Sequence, residues 1–268
     1  MIINIQEESR TWASFKNINV CINQKKILSN INLDLNYGEN IVILGPNGSG
    51  KSTLLKLLNR SIYPIISAES SMKMFNKEII NIWDLRKKVG FFYKEMEQRL
   101  NNKVNLYDVI ASGFSGTFNS RCSNGISKIE KGKIRDLIKE WELSDIIYKK
   151  FYSLSDGQKR RGLIARALVY EPMLLVLDEP FCNLDIKSNV ILNNNLNRMI
   201  NNSVNILYVT NNLESIISKT NRVLLLKEGK IINEGSPNKI ITSDILSDLF
   251  QIPLKIIKQD KYWRSIPV

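Results

Sequence analysis

Histidine is absent from all 268 residues, so no imidazole is available to carry charge or shuttle a proton near neutral pH. Cysteine is scarce: Cys21, Cys122 and Cys182 are scattered, odd in number and without a C-x-x-C spacing. That argues against a disulfide framework or a zinc site, and it suits a reducing, cytosol-like compartment. No stretch approaches the ~18–20 apolar residues that a membrane-spanning helix needs. The start, MIINIQEESR, is polar and acidic where a secretory leader is cationic. A chain with neither span nor leader is expected. Internal repeats are also lacking, so one unit is expected rather than a tandem pair.

Positive charge is in excess, at a formal +12. Basic proteins gain sequence-independent affinity for phosphate backbones. Here the excess is mostly lysine spread along the chain, and no window interleaves aromatics with arginines. Lysine, asparagine and isoleucine are abundant together, and all three are amino acids of A/T-rich codons. Compositional drift accounts for the charge and argues against nucleic acid as a partner, while some of it would help docking at an anionic membrane surface.

The run GPNGSGKST fits the pattern G-x-x-x-x-G-K-[ST] with Gly45, Gly50, Lys51 and Ser52 in register. At average residue frequencies those four positions recur by chance in a chain this long about once in a hundred. Ile41 to Leu44 reads as a buried strand before the run, and Leu54 to Leu58 as an apolar helix face after it. Glycines let successive backbone N–H groups turn inward on phosphate oxygens, and the helix starting near Lys51 adds its positive dipole end. The candidate nucleotide site is therefore Gly45, Pro46, Asn47, Gly48, Ser49, Gly50, Lys51, Ser52 and Thr53. Lys51 is expected to bridge the β- and γ-phosphates, and Ser52 to offer a hydroxyl to Mg²⁺.

LLVLDEP (Leu174 to Pro180) reads as a buried parallel strand with acids at its C-terminal end. Asp178 is placed to hold Mg²⁺ through water, and Glu179 to orient or deprotonate an attacking water. In LSDGQKRR (Leu154 to Arg161), Ser155 reads as the N-cap of a helix running to about Tyr170, with Gly157 in its first turn. Such a helix start is a second phosphate site, or simply a capped helix.

In this order the segments resemble the ATP-binding-cassette (ABC) ATPases, from about Ile18 to Ser236. GPNGSGKST matches the family's Walker A motif, LSDGQ its LSGGQ signature with Asp156 as the departure, and LLVLDEP its Walker B. CNLD (Cys182 to Asp185) stands at its D-loop. The resemblance implies an α/β fold: a P-loop core with an antiparallel β subdomain and an inserted helical subdomain that normally touches a membrane partner. It implies ATP and Mg²⁺ as ligands and two cassettes, copies or homologues, closed head to tail. Ser155, Gly157, Gln158 and Asp185 would then face the ATP held by the partner's P-loop. The implied activity is ATP hydrolysis, with Lys51 and Glu179 catalytic, in the subunit that drives a separate transmembrane permease. That places the chain in the cytoplasm, peripheral on the inner face of a membrane. A soluble ABC ATPase without a permease, regulatory or acting on nucleic acid, and a degenerate ATP clamp are the alternatives.

Three positions depart from the family pattern. Asn211, in ILYVTNNLESI, stands where the family has a switch histidine; it can hydrogen-bond a γ-phosphate or a water but cannot carry the positive charge. Lys94 stands at the Q-loop glutamine, with Gln98 four residues on. The position of the adenine-stacking aromatic is aliphatic, at Ile22. ATP binding with slowed hydrolysis is the expectation.

Along the chain, Ser14 to Leu35 reads as antiparallel strands and Val89 to Phe92 as a strand. LYDVIASGF and IEKGKIRDLIKEWEL read as amphipathic helices around a mobile Ser/Asn/Gly-rich loop at Ser115 to Gly125. Lys187 to Ile200 reads as a helix, Ile206 to Thr210 as a core strand, and Val223 to Gly235 as two strands about an EGK turn. The tail is expected to hold one helix, DILSDLFQI, then a basic aromatic end, KYWRSIPV, that packs. The expected segments are 1–93 for the β subdomain and first part of the core, 94–155 for the helical subdomain, 156–235 for the rest of the core, and 236–268 for the tail.

Overall fold

The computed structural model describes residues 10–101, 103–118 and 125–268. The start of the chain, Cys122 and most of the loop expected to be mobile lie outside those residues. In chain order the first elements are β1 (Thr11–Ile22), β2 (Lys25–Asn36), β3 (Ile41–Leu44), α1 (Lys51–Leu58), β4 (Ser71–Met74), α2 (Ile82–Lys88) and β5 (Val89–Phe92). Next come α3 (Leu106–Ser115), α4 (Lys128–Glu140), α5 (Asp156–Ala167), β6 (Leu174–Asp178), α6 (Ile186–Asn201) and β7 (Asn205–Thr210). The last are β8 (Arg222–Lys227), β9 (Lys230–Gly235), α7 (Pro237–Ile240), α8 (Ser243–Phe250), β10 (Leu254–Gln259) and β11 (Tyr262–Pro267). They divide between two compact units: the chain through Ile82 with Thr220–Ile256 and Ser265–Val268, and Trp83–Lys219 with Ile257–Arg264.

In the first unit β1 pairs antiparallel with β2 and with β4. Alternation of apolar and polar residues buries Phe15, Ile18, Leu28 and Ile31. The register slips between Phe15 and Val20, and asparagines take up the slack. Asn17 and Asn30 adopt left-handed φ of 53° and 49°, which asparagine tolerates better than most side chains. Asn32 Oδ1 accepts from the Asn17 N–H, and Asn19 Oδ1 from the Asn30 N–H. β3 runs parallel to β8, and β8 turns back antiparallel into β9. All four β3 residues are buried, as are Leu54, Leu55, Leu57 and Leu58 of α1. The apolar run before the glycine loop and the apolar helix face after it thus form a strand and a helix as expected.

In the second unit β5, β6 and β7 run parallel, with Phe92 level with Leu177 and Leu177 with Tyr208. Every residue of β6 is buried, as in parallel sheets whose faces are both covered. α3 and α5 approach closely at two glycines. A Cβ on Gly162 would lie 2.3 Å from Leu106 Cδ1, and one on Gly113 2.4 Å from the Arg166 carbonyl oxygen. α6 buries Leu192, Leu196 and Met199 on one side, the face the sequence indicates.

Two expectations need correction. α5 ends at Ala167, not near Tyr170, with Leu168 as its C-cap and Glu171 turned to φ 53° ahead of Pro172. The tail carries two helices, α7 and α8, where one was expected, and then a β-hairpin, with Asp260 at φ 54° in the tight turn between β10 and β11. Trp263 of that hairpin is buried under Lys258, 4.8 Å from its ring, while Tyr262 stays exposed.

Candidate functional site

The candidate residues fall in three places. In the first unit the loop Gly45 to Gly50 leaves the buried end of β3. A Cβ on Gly45 would lie 2.1 Å from the Leu226 carbonyl oxygen, so packing on β8 alone demands glycine there. Gly48 and Gly50 adopt φ of 78° and 103°, which turns the chain sharply into α1. Gly50 is the N-cap and supplies no side chain, so no side-chain cap covers the amides at the start of α1. The Lys51 ammonium, 5% exposed, folds back to donate to the carbonyls of Gly45 (2.8 Å) and Pro46 (2.9 Å). The Ser49 hydroxyl is buried and has no hydrogen-bond partner among the described residues. A buried, unpaired hydroxyl beside a buried ammonium at a helix start with no side-chain cap suits an anion of several oxygens. Asn47 and Gly48 are exposed, and Ser52 and Thr53 half-buried, on the same loop and first turn.

The EGK turn contributes in a way its spacing does not reveal. Gly229, at φ 74°, donates its N–H to the Ser49 carbonyl at 2.9 Å. A Cβ there would lie 2.1 Å from the Ile27 carbonyl oxygen. The turn thus braces the glycine loop. Ile22, at the end of β1, is 39% exposed and offers an aliphatic surface where an aromatic ring was missing from the sequence.

In the second unit the C-terminal ends of three parallel strands bring Lys94, Asp178, Glu179 and Asn211 to one edge. Asp178 is buried at the end of β6. Glu179 adopts φ 47°, a left-handed conformation that costs on the order of 1–3 kcal/mol in a non-glycine residue. It is held there by its N–H to the Val209 carbonyl (3.2 Å) and by the Cys182 N–H on its own carbonyl (3.2 Å). Asn211 follows β7 and is exposed. Lys94, exposed at the start of a 3₁₀ turn over Lys94–Arg99, places Nζ 3.8 Å from Cys182 Sγ. Gln98 is exposed on the same turn.

Ser155 caps α5, as expected, and does so reciprocally. Its Oγ accepts from the Gln158 N–H (3.3 Å), and Gln158 Oε1 accepts from the Ser155 N–H (3.0 Å). Gly157 is buried because a Cβ would meet Ser188 Oγ at 2.3 Å. Asp185 caps α6, accepting from the Ser188 N–H at 2.6 Å. Hydrogen bonds from the Ser188 backbone and side chain hold its carboxyl below the usual carboxylate range. Each of these four residues thus has a local structural task.

Arg160 went unnoticed in the sequence because it reads as one of three consecutive basic residues. It is 7% exposed and stacks over Phe92 at 5.1 Å. It donates to the carbonyls of Glu179 (3.3 Å) and Cys182 (3.1 Å), tying the capped helix to the turn that carries Glu179. Burial lowers its pKa, partly offset by Cys182 and nearby carboxylates. Replacing Arg160 with methionine would strand the Cys182 carbonyl, while the Glu179 carbonyl keeps the Cys182 N–H. A loss of about 1–3 kcal/mol is expected, seen as a melting temperature lower by several degrees in a thermal scan.

A family model described as "ABC transporter" matches residues 28–182. An uncharacterized ABC transporter ATP-binding protein of Lactococcus lactis, YmeB, is 30% identical over 262 residues, covering 96% of this chain and 99% of that one. The solved structure of cbiO1 from Clostridium perfringens, described as part of the ABC transporter complex cbiONQ, superposes with a TM-score of 0.73 at 25% identity, covering 89% of this chain and 94% of that one. A dimeric ATP-binding cassette in a post-hydrolysis state with ADP and Pi shares the fold, with a TM-score of 0.68 at 24% identity over 84% of this chain and 98% of that one.

Proposed function

The chain belongs to the ABC transporter family of ATP-binding proteins, and from that premise we propose that it is the ATP-hydrolysing subunit of a transporter, working as a dimer of cassettes on a separate transmembrane permease. The observation that carries the reading is the glycine loop itself: left-handed glycines, an uncapped helix start and a buried lysine ammonium make a site for a polyphosphate. Gly45 to Thr53 bind the phosphates, and Lys51 neutralises charge on the β- and γ-oxygens. Glu179 takes a proton from water as the water oxygen bonds to the γ-phosphorus. The bond from that phosphorus to the β,γ-bridging oxygen breaks, releasing ADP and phosphate.

The donor types suit Mg²⁺: Ser52 of the first unit has a hydroxyl and Asp178 of the second a carboxylate, both hard oxygen ligands. Among the described residues no cluster of three His, Cys, Asp or Glu could cage a metal ion. Mg²⁺ suits such a site because it keeps several waters and binds through one or two protein oxygens plus phosphates. Its chemistry there is to neutralise charge on the phosphates.

Across the proposed dimer, Ser155, Gly157, Gln158 and Asp185 face the γ-phosphate held by the other chain; a solved cassette of the same fold is described as dimeric. The segments 1–93, 94–155, 156–235 and 236–268 serve as β subdomain with first core part, helical subdomain, second core part and tail. No helix among the described residues is long and apolar enough to cross a membrane. The family resemblance supports a place at the cytoplasmic face, through a permease.

The experiment is purification of the tagged chain from detergent-solubilised membranes of its own cells. A stoichiometric multi-span protein that raises the ATP turnover of the chain supports the transporter reading. Stoichiometric ribosomes or DNA, with no membrane protein, would replace it with the soluble ATPase.

A further inference from the structure

We infer that Lys94 supplies, from the end of β5, the positive charge beside Glu179 that this histidine-free chain cannot supply from Asn211 at the end of β7. The inference rests on the proposed ATPase function and concerns the same site. Three observations carry it. Phe92 pairs with Leu177 near the C-terminal ends of β5 and β6, and Lys94 and Glu179 each follow that pair by two residues, just past the ends of the two strands. The Lys94 ammonium lies 3.8 Å from Cys182 Sγ, on the turn that begins at Glu179. That turn is fixed, since Arg160 bonds the carbonyls at both its ends and the Cys182 N–H closes it. The Lys94 ammonium therefore rests against a fixed turn that begins at Glu179.

Of Arg160 and Lys94, the two cations that touch the Glu179–Cys182 turn among the described residues, only Lys94 is available. Arg160 is buried, stacked on Phe92 and committed to two carbonyls. Lys94 is exposed, has no carboxylate partner among the described residues and rests on a thiol, which it can leave cheaply. As phosphoryl transfer proceeds, negative charge grows on phosphate oxygens at the edge where Glu179 draws the water's proton. A cation placed there lowers the barrier without changing how ATP binds in the ground state. An ammonium on a four-carbon stem can swing from Cys182 toward that charge. Asn211 is left with the part that suits a neutral amide, a hydrogen bond to water or phosphate.

The test is a double-mutant cycle in the full chain, read as phosphate release at saturating ATP with Mg²⁺. Lys94→Met is expected to lower kcat roughly tenfold. That is less than the ~10²–10³ typical for a buried preorganised donor, because the site is exposed. KM for ATP should stay within about twofold, and Lys94→Arg should retain most of the wild-type rate. Asn211→His should raise turnover by less than about threefold in the wild type, yet restore most of the loss in Lys94→Met, a coupling expected of two groups doing one task. Thermal melts of each variant control for folding. An unchanged kcat in Lys94→Met overturns the inference. So does a large gain from Asn211→His in the wild type, or a loss that neither Lys94→Arg nor Asn211→His relieves. A wild type that releases no phosphate at all would instead count against the proposed function.

Discussion

Glu179→Gln is expected to stop ATP turnover while leaving ATP binding intact. Glutamine keeps the shape and hydrogen-bonding reach of glutamate but cannot accept the water's proton, and a positioned general base contributes about 10²–10⁴-fold. The backbone should tolerate the change, because φ 47° at Glu179 is fixed by hydrogen bonds of its own N–H and carbonyl, not of its side chain. ATP that is bound and never cleaved should then hold two chains together, since a ligand shared across an interface stabilises the assembled state by mass action. Size exclusion with ATP and Mg²⁺ should show a dimer that ADP does not support. The same variant remaining monomeric at saturating ATP, with or without the permease, would contradict the head-to-tail arrangement.

Lys51→Ala is expected to weaken ATP binding by about 1.5–3 kcal/mol, the scale of a charge-assisted hydrogen bond. In a calorimetric titration that is roughly a 10- to 150-fold rise in Kd. Its ammonium already bridges the Gly45 and Pro46 carbonyls, so the substitution also removes a tie that shapes the loop. The two effects separate on a thermal scan without nucleotide, where only the loss of the tie contributes. ATP affinity left unchanged by Lys51→Ala would remove the phosphate-binding role from this loop.

Much of the fold and the site was legible because local patterns and tertiary demands agreed. IVIL before the glycine loop, the capped helix at Ser155 and the acids closing LLVLDEP each form the element that their periodicity indicates. The hidden parts are those where a residue's task is set by something far away in sequence. Gly229 looks like an ordinary turn glycine, yet its N–H braces the Ser49 carbonyl 180 residues earlier. Arg160 looks like one more solvated cation, yet it is buried on Phe92 and grips the Glu179 turn. Gly157 reads as a ligand-facing signature residue, and the structure adds that Ser188 leaves no room for a side chain. The hairpin at Leu254–Pro267 escaped because its apolar residues are few and mostly exposed, so alternation gave a weak signal. Asparagine concealed the bulges of β1 and β2, since a tract rich in asparagine resembles a loop until its side chains are seen bonding the strand backbone.

The most direct test of the ATPase assignment is steady-state phosphate release by the purified wild-type chain, measured against ATP and protein concentration in the presence of Mg²⁺. Release should saturate with ATP, rise more than proportionally with protein concentration because two chains form each site, and vanish in Glu179→Gln. Release that is strictly proportional to protein concentration, or that persists in Glu179→Gln, would contradict a dimeric cassette that hydrolyses ATP at this carboxylate.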